Sequence, residues 1–297
     1  MSLTLFPNGI SSQGVPIYGG SQDISGTTYF VDGNCGNDGN VGTELSAPYK
    51  TLAKAIAVSN TDIARGSDRW ARRNTIYIAG DNLTENLVAF PNKCDVVGMG
   101  SDDAFTMACI EGNHVPVNAG NMGTRFINVR LLTKAAGIIV DLVSSSSGIS
   151  FINCLFDGTG TAATATTGIR ATASPRLIVK GCKFEGAFST SYITFGTGQA
   201  LGTTITDNIM VQGAAGGILT GAGTTASYMG VIARNIVQVA GLAIDTQATS
   251  VFVVANNSFI TTTGAGATSA VVDLTFACNN TVTQNDVSTC IPVIVDG

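Results

Sequence analysis

The chain has 297 residues, a net charge of −5 at pH 7 and only 12% charged residues, about half the share usual in soluble domains. After Lys183 the single basic residue is Arg234, set against Glu185, Asp207, Asp245, Asp273, Asp286 and Asp296, whereas the first 184 residues are neutral overall. No basic footprint for nucleic acid and no apolar run of membrane-spanning length is present. The 36 glycines among Thr, Ser, Asn, Ala and Val favour strands and turns over long amphipathic helices.

Residues 1–20 lack the basic and apolar regions of a secretory leader, so none is expected. Residues 1–26 read as an attachment arm. The turn formers Pro7 and Gly9 and the anchors Phe6, Ile10 and Val15, with Pro16, suit an extended segment that docks on a partner. A tail without fixed structure, or a first strand of the body, is the plainer alternative. Residues 27–74 read as an opening strand (28–31), a turn-rich loop (32–42, DGNCGNDGNVG) and an Ala-rich capping helix over 52–58. Arg65, Arg69, Trp70, Arg72 and Arg73 follow it as a basic cluster. They either face an acidic partner surface or form a solvated helix face. Residues 75–297 read as a parallel β-helix, beginning with a strand over 75–79 and an early coil at 96–100.

The β-helix is read from a repeat. FINVRL, FINCLF, VKGCKF, TDNIM, IARNIV, VANNSF and ACNNTV align so that Asn128, Asn153, Gly181, Asp207, Arg234, Asn256 and Asn279 share a column, at steps of 22 to 28 residues. That period suits one coil of three short strands and is too short for a two-helix repeat. The next column reads Val129, Cys154, Cys182, Asn208, Asn235, Asn257 and Asn280. The column two residues further reads Leu131, Phe156, Phe184, Met210, Val237, Phe259 and Val282. Residues two apart share a strand face, so both columns are expected inside, with like on like at rungs about 4.8 Å apart. The Asn column then forms a ladder whose amides bond along the stack. A further strand column is expected at Gly137-Ile138, Gly168-Ile169, Gly217-Ile218, Ala243-Ile244 and Val271-Val272. A leucine-rich repeat has a similar period, but its regular Leu positions are missing.

The run YFVDGNCGNDGNVGTELSAPYKTLAKAI resembles the opening of many pectate-lyase-like right-handed β-helix proteins. That superfamily mixes lyases, hydrolases and non-enzymatic phage proteins, so the resemblance implies a fold and leaves function open. The arm FPNGISSQGVPIYG (6–19) resembles the N-terminal arms of some bacteriophage virion proteins. The resemblance implies a virion location, assembly in the host cytoplasm and a capsid or other virion protein as partner. Trimers are common among such spikes and fibres, and outward positions after residue 187 are poor in charge, which fits burial against copies of the same chain.

Candidate chemistry is sparse. Asp157 and Glu185 stack in one column, and Asp245 and Asp273 in another. Either pair could stand near the 5 Å separation of a retaining glycosidase, yet Asp157-Gly158 and Glu185-Gly186 are also ordinary turn sequences. A lyase base could come from Arg170, Arg176, Lys180 or Lys183, but no compact acid cluster accompanies them. The loop of residues 32–44 fails the EF-hand spacing. The seven cysteines, Cys35, Cys94, Cys109, Cys154, Cys182, Cys278 and Cys290, are widely spaced and expected as reduced thiols, without a metal site. Neither a cofactor motif nor a triad around the lone His114 is visible. These readings lead to the expectation of a non-catalytic virion structural protein, a capsid decoration or short fibre or spike. A polysaccharide-cleaving tailspike and a receptor- or glycan-binding module are the alternatives.

Overall fold

The structure, a computed structural model, describes residues 10–12, 15–18, 26–64, 72–79, 82–100, 106–117, 122–143, 147–159, 164–172, 174–196, 200–214, 216–220, 228–241, 243–246, 250–261, 268–270 and 276–284. Strands of successive repeats pair in parallel, each with its equivalents one rung before and after. They build a ten-stranded face from Thr28–Asp32 to Phe276–Cys278 and a nine-stranded face from Leu83–Thr84 to Thr281–Gln284. A six-stranded face runs from Gly137–Leu142 to Thr268–Ala270. The expected all-β parallel solenoid is therefore what forms. Its one helix among the described residues, Leu52–Ala64, runs six residues beyond the predicted end. No helix among the described residues is long and apolar enough to cross a membrane.

The aligned repeat is the passage between the ten-stranded and nine-stranded faces. Its first column is a corner at which Asn128, Asn153, Gly181, Asp207, Arg234, Asn256 and Asn279 all take φ between 50° and 65°. Asn, Asp and Gly tolerate this left-handed conformation best, which explains the composition of the column. One such residue turns the chain so that its successor points inward. Beyond the corner the register pairs Leu131 with Phe156, Phe156 with Phe184, Phe184 with Met210, Met210 with Val237, and Val237 with Phe259. All of these side chains are buried. The Phe156 and Phe184 rings stack with centroids 4.6 Å apart and 7° between planes, and Phe126 and Phe151 stack at 5.4 Å.

The residue after each corner forms a continuous polar ladder inside the rod. Asn208, Asn235 and Asn257 each send one amide hydrogen to Oδ1 of the next Asn, at 2.9 Å, ending on Asn280. The other hydrogen goes to a backbone carbonyl: Val179, Ile205 and Ile232, with Asn280 reaching Val254. Each Oδ1 also accepts the backbone N–H of the preceding ladder residue, including Cys182 N–H on Asn208. Every hydrogen-bonding site of Asn235 is thus filled, which removes the cost of burying an amide. Cys154 and Cys182 occupy the same column, and their thiols donate to the equivalent carbonyls of Phe126 and Phe151 at 3.3 Å.

The six-stranded face departs from the predicted column. Ile169 pairs with Val140 rather than Ile138, because the register shifts between Gly137 and Ile138. A further strand, Phe188–Phe195, lies between the predicted repeats, placing Ile193 between Ile169 and Ile218. Gly168 is not a bend residue: a Cβ there would stand 2.7 Å from the Tyr192 carbonyl oxygen, so it permits close approach of backbones. Ile244 pairs with Thr268, and Val271-Val272 lie outside the described residues.

The helix caps the first rungs through carboxylates from two loops. Asp38 Oδ1 accepts the N–H groups of Lys50 and Thr51, and its Oδ2 the Thr51 hydroxyl, each at 2.9 Å. Glu85 accepts Leu52 N–H at 2.7 Å and Ala53 N–H at 2.9 Å. The open N–H groups of a helix start favour such anions. Leu52, Ala55, Ile56 and Ile63 are buried beneath, covering an end that would otherwise expose apolar core.

Candidate functional site

Two carboxylates predicted to stack do so. Asp157 and Glu185 are direct partners on neighbouring strands of the nine-stranded face, but their surroundings differ. Asp157 Oδ2 is held by Arg130 Nη2 at 2.7 Å, and its Oδ1 accepts Thr159 N–H at 2.9 Å. Both oxygens are taken up by the rod. Asp245 pairs with Ser269 rather than with Asp273, and Asp273 lies outside the described residues.

The candidate bases are dispersed. Arg170 clamps Asp141 on the six-stranded face, with Nε 2.8 Å from Oδ1 and a second contact from Nη2. Arg176 donates to Ser147 at 2.7 Å. Lys180 points out from the ten-stranded face and Lys183 from the nine-stranded face. Asp95 is shared by Arg73 and Arg125 at 2.6 and 2.7 Å. Arg234 grips the corner residue Asp207 through Nε at 2.6 Å and Nη2 at 2.9 Å, holding that carboxyl below its usual range. Asp95, Asp141, Asp157 and Asp207 are thus each tied to arginine across rungs.

Of the basic cluster, Arg65, Arg69 and Trp70 lie outside the described residues. Arg73 is engaged with Asp95 and with the Gly123 carbonyl, and Arg72 also has an interaction of its own. In the arm, Phe6, Pro7 and Gly9 lie outside the described residues. Ile10 belongs to the strand Ile10–Ser12, which pairs antiparallel with Val15–Tyr18, the strand of Val15 and Pro16. The loop after Asp32 uses its acids for turns and the helix cap: Asp32 Oδ1 accepts the N–H of Asn34 and Cys35. Among the described residues no group of three or more His, Cys, Asp or Glu is placed to hold a metal.

One surface concavity does gather chemistry. A groove of about 350 Å³ runs along the corner between the ten-stranded and nine-stranded faces, across the rungs of Asn128, Asn153 and Gly181. Met107 and Leu155 give its lining an apolar part, and Asn153, Lys183 and Glu185 a polar one. Gly181 opens it, since this corner alone in the aligned column has no side chain. The Asn128 amide nitrogen turns away to the Gly98 and Gly100 carbonyls, 3.1 Å from each. Lys183 and Glu185 were singled out in the sequence for other reasons. Met107 comes from the preceding coil and carries no motif, while the exceptional Gly181 was visible in the alignment.

Buried titratable groups lie elsewhere. His114 is fully buried; its Nδ1 accepts Leu87 N–H at 3.2 Å and its Nε2 has no partner among the described residues. Burial pushes its pKa down to about 4. Burial raises the thiols of Cys94 and Cys109 to about 12. It also raises the Glu85 carboxyl, against the downward pull of its two helix N–H bonds.

No family model and no curated protein matches the chain. Among solved structures it is similar to a GH136 lacto-N-biosidase from Eubacterium ramulus, at 11% identity over 86% of this chain and 67% of that chain, with a TM-score of 0.28. The expectation of a chain without catalysis is corrected by this finding, because the similar structure is a glycoside hydrolase and a rod of this kind gives no ground for excluding an enzyme. At that TM-score the likeness supplies neither a site nor a substrate. The β-helix fold is compatible with a structural or a carbohydrate-binding role.

Proposed function

We propose that the chain is a structural rod of a bacteriophage particle, assembled in the host cytoplasm. It decorates the capsid or stands as a short fibre or spike, attached through its N-terminal arm to a capsid or other virion protein. The observation that carries this reading is the commitment of the side chains to the rod itself. Inside, the Asn and Cys column binds rung to rung. Outside, Asp95, Asp141, Asp157 and Asp207 are each held by arginine from another rung.

Two further features support the reading. Residues 10–12 and 15–18 pair with each other as a separate two-stranded sheet, the form of an arm rather than of a rung. Ile209, Met229, Val231, Ile236 and Val253 are exposed on both sides of the Asp207–Arg234 corner. Exposed apolar side chains in a low-charge region support lateral association of copies, as in a homotrimer.

The test is quantitative mass spectrometry of purified particles from a phage that encodes this chain. The reading expects a fixed ratio to the major capsid or tail protein, and loss of the chain from particles when residues 1–26 are deleted while the rod still folds. Particles lacking the intact chain would overturn it, as would incorporation unaffected by the deletion.

A further inference from the structure

The geometry points to the corner groove as a binding site for one or two sugar rings. This does not rest on the virion reading, because the groove belongs to the rod wherever the rod stands.

The ligand class follows from the lining. Leu155 projects outward on the nine-stranded face, paired between Arg130 and Lys183, yet is only 3% exposed. With Met107, itself 7% exposed, it gives the groove a narrow apolar strip against which the C–H edge of a sugar ring can lie. Beside that strip stand groups of every hydrogen-bonding kind. Asn153 is exposed at its corner. Asn128, with its amide nitrogen spent on two carbonyls, keeps its oxygen as an acceptor. Lys183 donates and Glu185 accepts. The last two lie two residues apart on one strand and point the same way, about 6.6 Å apart at the backbone. Neither forms an ion pair among the described residues.

Other ligand classes fit worse. A phosphate or sulfate would meet the Glu185 carboxylate, and Arg130 is already held by Asp157. A divalent cation would find one carboxylate beside an ammonium group, short of the oxygen set it needs. A flat aromatic ligand finds no ring to stack on. A hydroxyl group both donates and accepts, so a ring carrying several of them is served by Lys183, Glu185 and the amides together. The volume of about 350 Å³ is at the small end for ligand sites and suits one or two rings.

The corner column supplies a test that spares the fold. Position 181 has φ of 65°, a conformation already held by Asn at 128, 153, 256 and 279. In Gly181→Asn the added Cβ meets chiefly the Asn153 side-chain oxygen, which can move, and the new side chain fills the notch. Binding to the full chain is measured by saturation-transfer NMR and calorimetry. The probes are the methyl glycosides of glucose, galactose, N-acetylglucosamine and glucuronic acid, with glycine and inorganic phosphate as non-sugar controls. At least one glycoside is expected to bind in the millimolar range. Gly181→Asn should weaken it by about tenfold or more, and Glu185→Gln by roughly two- to tenfold, the loss carried by one polar contact. The melting temperature should stay unchanged in both. If Gly181→Asn fails to fold, the double variant Lys183→Met/Glu185→Gln carries the same expectation. Failure of every glycoside to bind would overturn the proposal. So would binding equal in wild type and variants, or binding of glycine or phosphate in place of the sugars.

Discussion

Asn208 and Asn235, 27 residues apart in the chain, meet inside the rod through two hydrogen bonds on one oxygen. Oδ1 of Asn235 accepts the side-chain amide of Asn208 at 2.9 Å and its backbone N–H at 3.0 Å. The same arrangement recurs at Asn257 and Asn280. Removing the Asn235 side chain therefore strands both Asn208 donors and the Ile205 carbonyl on the rung before, and takes one of two donors from Asn257 Oδ1 on the rung after. Asn235→Ala should cost about 3 kcal/mol or more, since a buried polar group left unpaired costs about 1–3 kcal/mol. Asn235→Asp should be worse at neutral pH, because a buried carboxylate cannot donate to the Ile205 carbonyl. Urea denaturation at pH 7 measures both.

The apolar column makes a different prediction. Phe184 stacks on Phe156 at 4.6 Å and meets Tyr192 edge-on at 5.9 Å. Phe184→Ala should cost about 3–5 kcal/mol through lost burial and the cavity left behind. Phe184→Leu should cost about 1.5 kcal/mol or less, because most of the volume is kept. Equal losses in the two variants, read by thermal or urea unfolding, would show that this column is not closely packed.

His114 predicts the sign of a pH dependence. Its pKa is about 4 in the folded rod and about 6.5 in the unfolded chain. Above pH 6.5 neither state carries the charge and the stability is fully present. As pH falls from about 6.5 through 4, the unfolded chain takes up a proton that the folded rod refuses. The loss should approach roughly 3 kcal/mol. Comparing wild type with His114→Gln between pH 7 and pH 4 isolates this group: the wild type should lose up to roughly 3 kcal/mol more than the variant over that range.

The thiols predict a pattern of reactivity. Cys35 is exposed, whereas Cys94, Cys109, Cys154 and Cys182 are buried, and burial raises Cys94 and Cys109 to about 12. A maleimide at pH 7, mapped by peptide mass spectrometry, should modify Cys35 at once and these four only after unfolding.

The corner and its two inward columns were legible in the sequence because they are local. A left-handed residue, an inward residue, an outward residue and an inward residue recur in that order, so Asn128 through Asn279 and Phe156 through Phe259 align without reference to the loops. The six-stranded face was not legible, because its registers shift at Gly137/Ile138 and at Ala165/Thr167 and the strand holding Ile193 lacks the Gly-Ile signature. The fate of Asp157 depended on Arg130, which already stood in the aligned repeat but one rung earlier and diagonal to the acid. The groove escaped notice because it is made by what is missing at Gly181 and by Met107, which arrives from the preceding coil. The aligned column shows the first, but spacing along the chain does not register the second.

A double-mutant cycle on Asn208 and Asn235 tests most directly whether the interior is one stacked ladder. The two single Ala variants and the double variant are compared by urea denaturation under identical conditions. Direct contact across adjacent rungs predicts a coupling of about 1 kcal/mol or more. Losses that add to within about 0.5 kcal/mol would place the two side chains apart and contradict the ladder.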